Sequence, residues 1–243
     1  MLYAVLADIH ANLAAFEAVL GDIEKKGGVD EIWCLGDVVG YGPDPCRCIE
    51  LLKNYNHVCV VGNHDLAAIG KIDLSYFNPD AATACQWTMG QLSQDDIDYL
   101  ENLPQTLEKD NFLLAHGSPA EPVLEYVMSA SIAAKNFDLF QKPYCLVGHT
   151  HSPAAFKEEN GECLPVNLTP GIGLVLGKSR MIINPGAVGQ PRDGDPRASY
   201  AIYDSEGSIF RLYRIPYDIA ATQDRMMQAG LPVHLVTRLE AGR

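Results

Sequence analysis

Along roughly the first 150 positions the apolar residues come in short, nearly unbroken runs, each ended by glycine or by a polar cluster. Residues 3–7, 31–35, 57–61, 112–115 and 144–147 are rich in Val, Leu, Ile and aromatics and read as strands buried on both faces. Between the first two runs Leu13, Phe16, Leu20 and Ile23 recur at helical spacing, with Asn12 placed to cap the helix and Gly27-Gly28 to stop it. The chain therefore begins β-α-β. Helical periodicity returns over residues 78–92, 93–103 and 129–140, and Ser93 and Asp96 have the spacing of a capping box. After residue 151 the pattern changes to strands broken by turns: 154–157 and 163–167 around Asn160-Gly161, then 199–203 and 209–215 around 205–207. These predict antiparallel hairpins. The C-terminal half is thus expected to build a second sheet packed on the first. With no linker, repeat or low-complexity tract, residues 1–243 are expected to form one domain.

The polar clusters stand at the carboxyl ends of the five runs: Asp8-Ile9-His10, Gly36-Asp37, Gly62-Asn63-His64-Asp65, His116-Gly117 and Gly148-His149-Thr150-His151. Open α/β sheets bind their ligands at that end. A lone histidine at a strand end is most often a hydrogen-bonded structural group. Five of the chain's seven histidines in these short segments, accompanied by aspartates and an asparagine, point instead to convergent metal ligands. Two divalent cations roughly 3.5–4 Å apart can clamp a phosphoryl group and activate water as hydroxide for in-line attack, which requires a bridging carboxylate. Asp37 is the candidate bridge, with Asp8, His10 and His151 completing one site and Asn63, His116 and His149 the other. Such a set without thiolate suits Mn, Fe, Co, Ni or Zn, and disfavours a Cys-rich structural zinc or an all-oxygen calcium loop.

Composition narrows the class further. At 243 residues, 47% hydrophobic and 20% charged, the chain is large enough for one sizeable core, burying roughly 70–75% of its unfolded surface. No apolar run approaches the ~18 residues of a membrane span, and the N-terminus lacks the features of a signal peptide. With 31 acidic and 18 basic residues the net charge of −13 argues against nonspecific nucleic-acid binding. Seven cysteines, an odd number, read as buried structural thiols rather than a redox device and fit a reducing cytoplasm. His57 and His234 are expected to be structural.

The order D-x-H, G-D, G-N-H-D, H-G, G-H-T-H, from Asp8 to His151, resembles the calcineurin-like metallophosphoesterase superfamily, over a stretch reaching about Tyr203. That resemblance implies an α/β fold of two mixed sheets packed face to face with helices on both outer sides. It implies the same ligand roles, with His64 contacting the scissile phosphate or protonating the leaving oxygen and Asp65 orienting it. Two departures mark the subgroup. Gly40 and Tyr41 stand where serine/threonine phosphatases of this superfamily carry an Asp-Arg pair, and Asp65 stands where they carry Glu. Residues 184–192, with Arg192 last, are similar to the closing segment of small bacterial and archaeal phosphodiesterases. Asn12 could donate to a phosphate oxygen or cap its helix; Arg192 could grip a phosphate. Tyr41 could face the cleft or pack on Pro43 and Pro45.

The expectation is a cytoplasmic hydrolase of small phosphoric esters, nucleotides among them, acting by a dinuclear-metal-activated hydroxide with no covalent intermediate. The alternatives are a serine/threonine protein phosphatase and a noncatalytic interaction scaffold on the same fold. The filled ligand positions disfavour the scaffold.

Overall fold

The computed structural model describes residues 1–243. Its elements, in chain order, are β1 (Leu2–Leu6), α1 (Leu13–Lys25), β2 (Glu31–Cys34), α2 (Pro45–Lys53), β3 (His57–Cys59), α3 (Asn63–Ala68), α4 (Pro79–Met89), α5 (Gln94–Glu101), β4 (Thr106–Lys109), β5 (Phe112–Ala115) and α6 (Ala130–Asn136). They continue with β6 (Tyr144–Leu146), β7 (Ala154–Glu159), β8 (Glu162–Val166), β9 (Gly173–Val175), β10 (Arg180–Asn184), β11 (Ala198–Asp204), β12 (Ile209–Ile215), α7 (Ile219–Gln228) and α8 (Val233–Ala241). The strands form two mixed six-stranded sheets, ordered β3-β2-β1-β11-β12-β9 and β4-β5-β6-β10-β7-β8.

Strand alternation builds three packed layers of side chains. Tyr3, Val5, Ala7, Trp33 and Leu35 of the first sheet meet Phe112, Leu114, Leu146 and Ile183 of the second in one buried cluster between the sheets. Trp33 is central, stacked on Tyr3 at 4.2 Å and edge-on to Phe112 at 5.3 Å. The intervening residues, Ala4, Leu6, Ile32 and Cys34, face the other way onto Phe16, Val19, Leu20 and Ile23 of α1 and Ile49 and Leu52 of α2. Cys145, Val147 and Ile182 likewise turn outward onto Ala133 of α6 and Phe137. Both faces of the central strands are covered, which is why these runs carry no polar alternation.

The expected hairpins form. Asn160 and Gly161 both take positive φ (53° and 80°), the two-residue turn that matches strand twist, and join β7 to β8. β11 pairs along its length with β12. Their placement corrects the expectation of a second sheet made from the C-terminal half. β11 inserts antiparallel beside β1 and carries β12 and β9 into the first sheet, while β5 and β6, earlier in the chain, belong to the second. A sheet-edge choice of this kind depends on which edge is free after collapse, and local patterning does not encode it.

All seven cysteines are free thiols, five of them buried. His57 bonds Tyr55 O and Tyr99 Oη, and exposed His234 pairs with Asp80, so both are structural as expected. No helix is long and apolar enough to cross a membrane.

Candidate metal centre

The turns that follow β1, β2, β5 and β6, with the start of α3, bring the polar clusters to one place. Asp8, His10, Asp37 and His151 direct their donor atoms within 4.8 Å of one another, and Asp37, His116 and His149 form a second such group. Asp37 is common to both. All of these side chains are buried. Asn63, at the first position of α3, brings Oδ1 within 3.0 Å of His116 Nε2 and so joins the second group. The seven expected ligand positions therefore converge.

The local backbone is shaped for this convergence. Asp8 (φ 54°), His10 (50°), Asp37 (54°), His149 (65°) and His151 (57°) are all left-handed, a conformation costing of order 1–3 kcal/mol per non-glycine residue. Gly62 permits the closest approach. A Cβ there would stand 2.0 Å from Asp37 Oδ1, so only glycine lets the entrance to α3 reach that carboxylate. Asp65 then locks the turn, its carboxylate accepting from the N–H groups of Asp37 (2.8 Å), Val39 (3.1 Å) and Gly62 (3.0 Å).

Each imidazole is oriented through its other nitrogen. His10 Nδ1 donates to Val39 O at 3.1 Å, His116 Nδ1 to Leu35 O at 2.8 Å, His151 Nδ1 to Gln190 O at 2.6 Å and His149 Nε2 to Leu124 O at 3.2 Å. A carbonyl only accepts, so these contacts fix the tautomers and leave a lone pair on the opposite nitrogen. These opposite nitrogens face each other: His10 Nε2 and His151 Nε2 are 3.0 Å apart, as are His116 Nε2 and His149 Nδ1. Asp37 Oδ2 lies 3.6 Å from His10 Nε2 and 3.3 Å from His116 Nε2 and, though buried, accepts no hydrogen bond. Convergent nitrogen donors around an orphan carboxylate oxygen call for positive charge between them, which bound cations supply and which, without metal, a proton on His116 supplies in part. The donor set fits two divalent ions sharing Asp37.

Protonation without metal follows from the same geometry. Burial drives His10 and His151 well below the usual imidazole pKa and His149 down to about 3. His116 is the exception: burial opposes its charge, but Asp37 outweighs burial and raises it to about 9. Asp8 is raised to about 7 by burial and then by Asp37. Three of the four imidazoles are thus held neutral, the form that ligates.

His64 lies beside this cluster, edge-on to His10 with ring centroids 4.9 Å apart. The resemblance implied that Asp65 orients it, but the carboxylate of Asp65 is spent on the backbone, and the partner of His64 Nδ1 is Cys85 Sγ of α4 at 3.2 Å. Burial, helped by the charge of Asp37, pushes the Cys85 thiol up to about 12, so it is an S–H that can donate to Nδ1. A Cβ at Gly40 would stand 2.7 Å from that same Nδ1, which accounts for glycine there.

Asn12 takes the capping role. Its Oδ1 accepts from Ala15 N at 3.2 Å and Thr222 Oγ1 at 3.0 Å, and its Nδ2 donates to Gly189 O at 2.8 Å. Tyr41 faces the site, its ring 4.7 Å from His10 and 4.2 Å from His64. Arg192 reaches Tyr41 Oη at 3.3 Å and Gln190 Oε1 at 3.0 Å. Over the centre opens a cleft of about 270 Å³ walled by Tyr41, His64, Tyr76, Phe77, Leu124 and Tyr126 among others. Tyr126 stacks on His149 at 3.8 Å. A larger open groove at Lys53, Asp95 and Tyr99 shares no residue with the candidate ligands. Sequence reading gave no role to Cys85 and Arg238, which lie outside its motifs and act through the neighbours they touch, and none to Gln190 although it lies within the closing segment 184–192.

A family model described as the calcineurin-like phosphoesterase superfamily domain matches residues 1–208. The crystal structure of a metallophosphoesterase from Sphaerobacter thermophilus is 48% identical, covers 100% of this chain and 99% of that one, and superposes with a TM-score of 0.91. An uncharacterised protein of Methanocaldococcus jannaschii is 38% identical over 248 residues, covering 100% of this chain and 98% of its own. A symmetrical bis(5'-nucleosyl)-tetraphosphatase of Pseudomonas putida is 36% identical over only 66 residues, which are 26% of this chain and 23% of that enzyme.

Proposed function

The chain belongs to the calcineurin-like phosphoesterase superfamily, and from that premise we propose that it hydrolyses small phosphoric esters with two divalent ions. Asp8, His10, Asp37 and His151 would hold one ion, and Asp37, Asn63, His116 and His149 the other. When bound, such a pair supplies Lewis acidity to the phosphoryl oxygens and lowers the pKa of coordinated water. The protein's part is positioning. Carbonyl contacts aim the four imidazoles, and Asp65 fixes the turn that presents Asp37.

With its Nδ1 accepting from Cys85, His64 carries its proton on Nε2 and donates it as a hydrogen bond to a phosphoryl or leaving oxygen. No serine or cysteine in the cluster has the base and exposure of a nucleophile, and Cys85 is a neutral, buried thiol. The reading is therefore direct transfer to water. Within the ester class the aromatic walls Tyr76, Phe77 and Tyr126 favour nucleotides, since a base can stack on them, and the partial likeness to tetraphosphatases points the same way.

The observation that carries the proposal is the two opposed imidazole pairs, each 3.0 Å apart, flanking the unpartnered Asp37 Oδ2. Hydrolysis of bis-p-nitrophenyl phosphate and p-nitrophenyl phosphate tests it, after chelation and after return of Mn or Ni. Activity is expected only with metal, and Asp37→Asn is expected to lower kcat at least roughly 10³-fold. Undiminished turnover after chelation, or in Asp37→Asn, would remove the reading.

A further inference from the structure

Arg192, in the loop after β10, and Arg238, on α8, bring their guanidinium groups over one aromatic ring, with Cζ atoms 5.7 and 4.8 Å from the Tyr41 centroid. Both donate to Gln190 Oε1. Neither has a carboxylate within ion-pair distance, although acidic residues outnumber basic ones by 31 to 18. Nearby arginines are paired, Arg214 with Asp193 and Arg225 with Asp44. Asp80, whose charge also acts on Arg238, pairs instead with His234 at 3.3 Å. The Nε atoms of Arg192 and Arg238 are both buried without an acceptor. Burial and the neighbouring charge of Arg192 hold the pKa of Arg238 below its usual value.

Two half-buried cations sharing one neutral acceptor repel each other and leave donors unmet, and an anion would relieve both defects. Planar guanidinium forks match phosphate oxygens in particular. The location narrows the anion. Tyr41 has both arginines near its ring and meets His10 edge-on at 4.7 Å, and the charge of Arg192 acts on Asp8, His10 and His151, so the pair stands beside the candidate metal ligands. Arg192 is also tied to the centre through its backbone, its N–H donating to His151 O at 3.1 Å. A substrate with two linked phosphoryl groups would present one to the ions and the other to the arginines.

We propose that Arg192 and Arg238, braced by Gln190 and Tyr41, clamp a second phosphate, so that the preferred substrates carry a phosphoanhydride chain rather than one isolated phosphate. This rests on the hydrolase reading for the first phosphate. Arg238 lies beyond residues 1–208, so the clamp joins the family-matched region to a helix outside it.

The test is differential. Calorimetric titration of the Mn-supplemented protein compares methylenediphosphonate, whose P–C–P bridge is not hydrolysed, with methylphosphonate. Wild type is expected to prefer the diphosphonate at least roughly tenfold, and Arg192→Ala and Arg238→Ala each to abolish that preference while binding methylphosphonate as before. Arg238→Lys, which keeps charge without the fork, should fall between, and Arg211→Ala should match wild type. In kinetics, kcat/KM for a dinucleoside polyphosphate should fall at least roughly tenfold in Arg238→Ala, with little change for bis-p-nitrophenyl phosphate. An unaltered diphosphonate preference in both alanine variants, equal losses on the two ligands, or no preference in wild type overturns the clamp. Absence of metal-dependent turnover in wild type would instead sink the hydrolase reading, while the two affinities still judge the arginines.

Discussion

Left-handed backbone at Asp8, His10, Asp37, His149 and His151 concentrates strain where side chains must converge, and the surrounding hydrogen bonds hold it there. Residue types and their order were enough to nominate these ligands, because chemistry restricts which side chains can bind a metal. What supports them was not legible. The carbonyls of Val39, Leu35, Gln190 and Leu124 that set the tautomers could belong to any residue type. Cys85 is similarly invisible in sequence, being one more apolar-looking position on α4. Its contact with His64 makes a sharp prediction. His64→Ala should retain two metals per chain by elemental analysis while kcat drops about 10²–10⁴-fold. Cys85→Ala should lower kcat about tenfold at unchanged KM, and Cys85→Ser, which keeps a donor to Nδ1, should restore most of it. Equal kcat losses in Ala and Ser would show that the thiol only fills space.

At the scale of elements, the apolar runs located the central strands and helical periodicity located the starts of α1, α4, α5 and α6 within about a residue, while α4 and α6 end three or four residues short of the expected ranges. The strand β10 was missed, although Met181, Ile182 and Ile183 are buried and it pairs β6 on one side and β7 on the other. Its apolar run is short and closely follows Gly-rich turns, so periodicity has little to register. Helix α1 shows how a cap can serve more than its own helix. Asn12 ties the first turn to Gly189 in the loop before β11 and to Thr222 on α7. Asn12→Ala is expected to lower unfolding free energy by about 2 kcal/mol or more, above the ~1 kcal/mol typical of a lost cap, because a buried donor and acceptor also lose partners. Chemical denaturation reads the difference. Asn12→Asp, which keeps the accepting oxygen, should recover part of it.

For the whole molecule, the proposed metal binding would be linked to folding through Asp37 and the four imidazoles. Metal at about 100 times its dissociation constant should add about 2.7 kcal/mol to stability, which for a chain of this size raises Tm by roughly 5–10 °C. Thermal melts of wild type with and without Mn should show the rise, and Asp37→Asn should lose most of it. A Tm indifferent to Mn in wild type would mean that the donor atoms do not act together. The strand order carries a separate consequence. Because β1 is flanked by β2 and by β11, and β6 by β5 and by β10, each half of the donor set leans on strands that leave the ribosome late. A nascent chain that has emerged only through His151 already holds every candidate ligand, yet lacks Gln190, whose carbonyl aims His151, and the strands β10 and β11 that flank β6 and β1. If the proposed ions bind, their loading would wait for these late strands, and a product truncated at residue 151 should capture no metal by elemental analysis.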